Sequence, residues 1–347
     1  LTNNRCVVDT FARDFQYDVK HISLAKAADL ILIAPATANV IAKLANGLAD
    51  DMLTTTVLAC RCPKLIAPAM NTNMYENPVT QDNLALLEKY GWEVISPASG
   101  RLACGSVGRG KLPEPVDLLQ HILRHLALPH DLTGKRVLVS AGPTQEAIDP
   151  VRYLTNHSTG KMGYALARMA MLRGADVTLV SGPTAIDPPP FLRTVPVICA
   201  QDMYDAITAN APQADFIFMA AAVADYTPVE CADNKIKKRD GDMAIPLKRT
   251  QDILGWLGEH RVPGQILCGF SMETQNMLEN SWGKLTKKHV DMICANNLKV
   301  PGAGFGVDTN ILTLITREAV TELPKLSKEE AANAILDEAL ALTQSIL

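Results

Sequence analysis

The sequence has no run of basic residues: 33 lysines and arginines are set against 37 acidic residues, for a net charge of −4. That argues against a nucleic-acid binder held by phosphate neutralisation. It has no apolar run of about 20 residues, the length that spans a bilayer, and "ADLILIAPATAN" meets a proline after a few positions. A membrane protein of that kind is excluded. Neither "VSAGPTQE" nor "VSGPTAID" supplies the G-x-G-x-x-G of a nicotinamide dehydrogenase. The Gly-Lys pair of "NHSTGKMGYALA" is not a P-loop either, because Thr155 stands where its first glycine belongs and Met162 where a Ser or Thr must follow the lysine. Of eight cysteines only Cys60 and Cys62 are close, and C-x-C without a second pair or nearby histidines makes no zinc site. Several others lie in apolar runs, as reduced core thiols do, and with no signal peptide this points to the cytoplasm. The chain opens "LTNNRCVVDTFARDF" without an initiator Met and meets its first buried-strand pattern at Leu30, so it reads as a fragment.

What the 347 residues do contain is 48% hydrophobic and 20% charged, the balance of a globular chain long enough for two cores. Short apolar runs alternate with helical patterns, which predicts an α/β protein of two doubly wound, Rossmann-like parallel-sheet domains. In residues 1–130 the strand candidates are "DLILIAP", "KLIAPA" and "WEVISPA". The amphipathic helix "VDLLQHILRHLAL" follows, and "PHDLTG" reads as the connection. Residues 131–347 start a second sheet at "KRVLVSAGPT". It continues through "ADVTLVSGPT", "DFIFMAAAVADY", "QILCGFSMET", "VDMICANN" and "NILTLIT". Ser327 and Glu330 form an S-x-x-E capping box for the closing helix. Ligands of such sheets collect at the carboxyl ends of the strands, so chemistry is expected just after them.

In the second domain Asn156, Ser158 and Gly160 offer donors at the mouth of a helix, an arrangement that binds phosphate without a P-loop. Asn156 or Ser158 would serve equally as a plain N-cap, and the residues alone leave both readings open. "MAAAVADYTP" is a strand whose small residues let a ligand approach the backbone; it ends in Asp225, suited to a ribose hydroxyl or a metal ion. Lys235, Lys237 and Lys238 fall on a loop, in most proteins only a solvated face, and Lys284 and Lys288 share one side of a helix. Together these suit a polyanion with its metal ion.

In this order "NHSTGKMG", "AAVADY", "KIKK", "GFSMET", K-x-x-x-K and "DMICANN" closely resemble the phosphopantothenate–cysteine ligase domain of the bacterial bifunctional coenzyme A biosynthesis flavoproteins, across essentially the whole second domain. The resemblance implies that CTP activates the carboxylate of 4'-phosphopantothenate as an acyl-cytidylate, which the amine of cysteine then attacks. It implies that Asn156 serves conversion of that intermediate and that Lys235 stabilises charge at the α-phosphate. Asp225 would hold the CTP ribose or its Mg2+, Phe270 would pack on the nucleotide, and Lys284 and Lys288 would meet the triphosphate. Met219, Ala220 and Ala221 with Gln251, Asp252, Ile253 and Leu254 would shape the cytosine pocket.

In the first domain His21 heads a short helix, where a lone histidine is more often structural. Asn39 follows a strand, Asn71 and Met74 belong to "PAMNTNMYENP", and "SGRLACGSVGRGKLPEP" is a Gly-rich flap around Cys104. Cys104 sits among Gly, Ser and Arg rather than in an apolar run, which makes it a candidate acid or nucleophile. These segments resemble the homo-oligomeric flavin-containing cysteine decarboxylases. By that resemblance FMN oxidises the substrate thiol, His21 is the base, Asn39, Asn71 and Met74 bind substrate, and Cys104 donates the last proton. Val40, Tyr75, Lys111 and Leu112 depart mildly from the family's motifs. The family's first strand and Gly-Ser phosphate loop, which grip FMN, have no counterpart here, so FMN is expected only if a segment precedes Leu1. The family's oligomers imply trimer contacts through the first domain and dimer contacts through the second. The alternatives are a ligase alone, its flavoprotein half vestigial, or a flavoprotein half acting as a regulatory subunit; intact Asn156, Asp225 and Lys235 speak against the second.

Overall fold

The computed structural model describes residues 6–7, 19–102, 105, 107–238, 242–273, 276–297 and 308–346, and the chain divides into two compact units, 1–128 and 129–347. In the first unit the strands Ile31–Ala36, Lys64–Pro68 and Glu93–Val94 lie parallel in that order. Their sequences are apolar without alternation because both faces are covered. Ile33 and Ile66 enter one cluster with Ile41, Leu84 and Leu87, while Leu65 and Ala67 join Ile95 and Leu118 in another. The third strand is shorter than "WEVISPA" predicts, since Pro97 has no N–H to extend a ladder; Ala98–Arg101 instead pairs with Val107–Lys111 as a separate antiparallel ribbon.

Glu93 on the edge strand is clasped by two histidines one turn apart on the helix Pro115–Leu126. His125 Nε2 lies 2.6 Å from Glu93 Oε2, and His121 Nδ1 meets Oε1. Burial alone would raise the Glu93 carboxyl, but hydrogen bonds from both imidazoles outweigh it and bring the pKa from 4.5 down to about 2. A carboxylate depressed in this way stabilises the fold above its unfolded pKa and loses that contribution as pH falls through the folded one. Between pH 4.5 and 2 the wild type is therefore expected to lose resistance to urea more steeply than Glu93→Gln, as read by circular dichroism. Parallel pH profiles would show that the clasp contributes nothing.

The second unit is built on one eight-stranded sheet. Its strands are β1 (Arg136–Ala141), β2 (Asp176–Ser181), β3 (Arg193–Pro196), β4 (Phe216–Met219), β5 (Ile266–Glu273), β6 (Met292–Asn297), β7 (Leu312–Thr316) and β8 (Val320–Glu322). They lie in the order β3-β2-β1-β4-β5-β6-β7-β8, parallel from β3 to β6. A wholly parallel sheet is the expectation from the sequence; β7 and β8 instead run antiparallel. Residues 317–319 form a hairpin turn, too short for the crossover that a parallel pair needs. The sequence pattern also passes over β3, whose exposed arginine and terminal proline suit only an edge.

Leu138, Ile217, Leu267 and Ile293 face the helices Ala200–Asn210, Ile253–Glu259 and Met277–Lys287, burying Met203, Ile207, Leu257 and Leu285. On the opposite face the helix Lys161–Leu172 packs on β1 and β2 and against the closing helix Lys328–Ile346. That helix starts at the expected capping box: Ser327 Oγ accepts from the Glu330 N–H at 3.2 Å, and Glu330 accepts from the Ser327 N–H at 2.8 Å. The segment read as a connection is docked on this unit. Leu132 is buried, and Asp131 accepts from the Arg173 guanidinium at 2.9 and 2.6 Å.

Candidate functional site

Strand order reverses between β1 and β4, so the connections leaving these neighbours diverge and open a crevice at their carboxyl ends. The chain leaving β4 is stitched to the end of β1. Ser140 Oγ accepts from the Ala221 N–H at 3.1 Å, buried Thr144 Oγ1 from the Ala224 N–H at 3.0 Å, and the Ala222 carbonyl from the Thr144 N–H at 3.2 Å. Asn156 Nδ2 donates to the same Ala222 carbonyl at 3.0 Å, which holds its amide over the crevice. Neither Asn156 nor Ser158 caps the neighbouring helix. The N-cap is Gly160, at φ +80° in the left-handed region and with no side-chain cap, so the first turn of Lys161–Leu172 opens toward the crevice. The competing N-cap reading thus gives way to an open helix mouth.

Two cavities adjoin here. Met219, Ala221, Asp225, Phe270, Lys288 and the turn Gln251, Asp252, Ile253 and Leu254 line one of about 510 Å³. Asn156, Ser158 and the first turn of Lys161–Leu172 line the other, of about 390 Å³, together with Ala220. The two share Ala221, Val223, Asp225 and Phe270 as a common wall. Inside the larger one Lys288 is ion-paired with Asp252, whose carboxylate also caps Ile253–Glu259 by accepting from the Gly255 N–H at 3.0 Å. Burial lowers the Lys288 pKa, and the charge of Asp225 opposes that shift. Among the described residues no group of three or more His, Cys, Asp and Glu is placed to hold a metal ion. A lone carboxylate such as Asp225 fits Mg2+ that is carried mainly by phosphate oxygens and water.

Two expected residues lie outside both linings. Lys284 Nζ donates to Ser271 Oγ at 3.0 Å. Lys235 is exposed on its loop, but the next residue is gripped: the Ile236 N–H donates to Asp149 Oδ2 at 3.1 Å and the Ile236 carbonyl accepts from Arg152 Nη2 at 3.1 Å. Asp149 is buried, and hydrogen bonds led by that of Arg152 hold its carboxyl well below the usual carboxylate range.

In the first unit Asn39 and Asn71 each follow a strand by three residues. The Ala69 N–H donates to the Ala36 carbonyl at 2.9 Å, so the two exits are neighbours at the carboxyl edge of the sheet. Asn71 also caps a short helix by accepting from the Asn73 N–H, and Met74 is half exposed. The flap ribbon lies close on this turn: Gly110, at φ +134°, bonds its carbonyl to the Met70 N–H at 3.0 Å, and a Cβ there would stand 2.1 Å from the Met70 carbonyl oxygen. His21 is half-buried in the first turn of Lys20–Ala27, and Cys104 lies outside the described residues. A cavity of about 590 Å³ in this unit, walled by residues such as Leu44, Leu58, Cys60 and Trp92, contains none of His21, Asn39, Asn71 and Met74.

Several polar residues of the second-unit cavities escape a reading of the sequence. Arg249 lines the larger cavity, and Asn296, Asn310 and Lys328 line the smaller. Asn296 is buried and its Oδ1 has no hydrogen-bond partner among the described residues. They come from separate segments, and the one available signal was the quoted "DMICANN", whose Asn296 follows a strand and so falls where ligands collect.

Residues 132–342 match the family model of the DNA/pantothenate metabolism flavoprotein C-terminal domain, and residues 1–127 match that described as flavoprotein. The chain is 48% identical over 348 residues to the coenzyme A biosynthesis bifunctional protein CoaBC of Bacillus subtilis (strain 168), covering 99% of this chain and 86% of that one. It is 41% identical to a cysteine/cysteine sulfinic acid decarboxylase of an unknown prokaryotic organism, covering 99% of this chain and 97% of that one. A crystal structure of the C-terminal domain of a coenzyme A biosynthesis bifunctional protein CoaBC is similar with a TM-score of 0.53 and 43% identity, over 61% of this chain and 98% of that one.

Proposed function

Because the chain belongs to the family of bifunctional coenzyme A biosynthesis flavoproteins, we propose that residues 131–347 ligate 4'-phosphopantothenate with cysteine at the expense of CTP, and that residues 1–130 decarboxylate the product to 4'-phosphopantetheine. The shared wall of the two cavities carries this reading, since a nucleotide in one and an acid in the other bring an α-phosphate and a carboxylate together there. The turn Gln251 to Leu254 and Phe270 receive the cytidine, while Lys288 and Arg249 face its phosphates. The carboxylate attacks the α-phosphorus, pyrophosphate leaves, and the amine of cysteine then takes the acyl group from CMP. Lys235 offsets charge that builds on the α-phosphate, and Asn156 orients the acyl-cytidylate for attack. Mg2+, with Asp225 as its protein ligand, neutralises the triphosphate when bound.

In the first unit Asn39 and Asn71, neighbours at the sheet edge, fit the carboxylate and amide of the ligated product. Met74, in the short helix that Asn71 caps, binds the same product, with His21 as base and Cys104 as proton donor. FMN, when bound, supplies oxidation and re-reduction of the substrate. No helix among the described residues is long and apolar enough to cross a membrane, and the proposed setting is a cytoplasmic homo-oligomer with trimer contacts through the first unit and dimer contacts through the second.

The experiment is a stoichiometric assay. Pyrophosphate release is expected only with CTP and 4'-phosphopantothenate together, CMP release only when cysteine is added, and CO2 only where the purified protein shows flavin absorption. Turnover that proceeds as well with ATP as with CTP would overturn the nucleotide assignment. Ligation without CO2 despite bound flavin would leave the ligase alone.

A further inference from the structure

We propose that Asp252 holds Lys288 until nucleotide enters the larger cavity and then surrenders it to the phosphates, so that this carboxylate sets how tightly CTP binds and how readily pyrophosphate leaves. The inference rests on the ligase reading above and adds a positioning residue to it. Among the described residues the lining of that cavity sets two acids, Asp225 and Asp252, against two bases, Arg249 and Lys288. A triphosphate entering there gains from the bases only as far as the acids release them.

Both ends of the pair are anchored to the helix Ile253–Glu259. Asp252 is its N-cap: Oδ1 accepts from the Gly255 N–H at 3.0 Å, which leaves Oδ2 as the oxygen that meets Lys288 Nζ. Lys288 closes the helix Met277–Lys287, its N–H donating to the Lys284 carbonyl at 2.9 Å. The carbonyl of Lys288 itself packs on Gly258, where a Cβ would stand 1.9 Å from that oxygen. The ion pair is therefore set by two fixed stretches of backbone rather than by a chance meeting of long side chains.

The two partners depend on each other unequally. The Lys288 side chain is 23% exposed and burial pulls its pKa down, so its ammonium is stabilised by an anion beside it. The Asp252 side chain is 55% exposed, and without Lys288 it keeps both water and the Gly255 N–H. A phosphate can thus replace Asp252 as the anion next to Lys288, while the displaced carboxylate stays solvated. When pyrophosphate departs, the same carboxylate takes the lysine back, which eases release.

Asp252→Asn keeps Oδ1 for the cap and replaces Oδ2 with an amide nitrogen that cannot accept from Lys288. Asp252→Ser also caps the helix and serves as a second neutral variant. Calorimetry on the full chain with Mg2+ measures the Kd of CTP and of pyrophosphate, a probe that meets the phosphate part of the site alone. Expected is binding of both about fivefold tighter or more in the neutral variants, and little further change when Asp252→Asn is added to Lys288→Met. Unchanged or weaker binding would overturn the proposal. An equal gain in the Lys288→Met background would also overturn it, because the carboxylate would then repel phosphate directly instead of acting through the lysine. Wild-type protein that binds neither CTP nor pyrophosphate would instead defeat the ligase reading itself.

Discussion

Asn156→Asp is expected to stop the ligase half-way, with acyl-cytidylate accumulating and the ligated product forming at least about 100-fold more slowly. Asn156 lines the smaller cavity and not the larger, so on the proposed reading activation, which needs CTP and the carboxylate, keeps its machinery. What changes is the contact at the crevice. The amide donates to the Ala222 carbonyl at 3.0 Å; a carboxylate has no proton to donate, faces that oxygen with like charge, and swings away. It also adds a negative charge beside the cytidylate. Rapid quenching followed by mass spectrometry should show a burst of pyrophosphate near one per site and an acyl-cytidylate that persists when cysteine is present. Ligation at the wild-type rate would refute the role.

Asp149→Ala is expected to disable the same reaction from outside both cavities. Asp149 accepts the N–H groups of Val151 at 2.9 Å, Arg152 at 2.8 Å and Ile236 at 3.1 Å, and binds the Arg152 guanidinium at 3.0 and 2.5 Å. Arg152 in turn donates to the Ile236 carbonyl. This clamp positions the residue next to Lys235, so without it the lysine is no longer held where the proposed mechanism requires it. A displacement of about 1 Å can cost about 100-fold in rate, and a loss of that order in kcat is expected with KM for CTP nearly unchanged. The double variant with Lys235→Ala discriminates. If Asp149 acts through Lys235, the second substitution adds little to the first, whereas multiplied losses would show that the two act independently.

Much of this was legible along the chain, for a reason that differs from part to part. The capping box at Ser327 and Glu330, the helix that carries Lys284 and is capped by Lys288, and the strands of both sheets other than β3 and β8 follow from local period and end chemistry. The turn Gln251 to Leu254 could be named because its residues are contiguous. Other features have no local signature. β3 is a polar edge, the connection at Asp131 and Leu132 is docked by a distant arginine, and Lys288 is paired with Asp252 from another element. Asn156 suits a helix cap equally well by its sequence, and only the fold gives that position to Gly160.

Apart from the edge strands β3 and β8 and the early stop of the strand Glu93–Val94, the sequence by itself determined most of the segments that become strands and helices and which short motifs stand at strand ends. Each of those depends on residues within a few positions of one another. Only the tertiary structure decided what meets across the crevice: Asn156 reaches a carbonyl 66 residues away, and Lys161 reaches a carboxylate 147 residues away. Such contacts are set by the winding of the sheet about β1 and β4, which brings separate loops to one edge, and no periodicity along the chain encodes which side chains then line a common cavity.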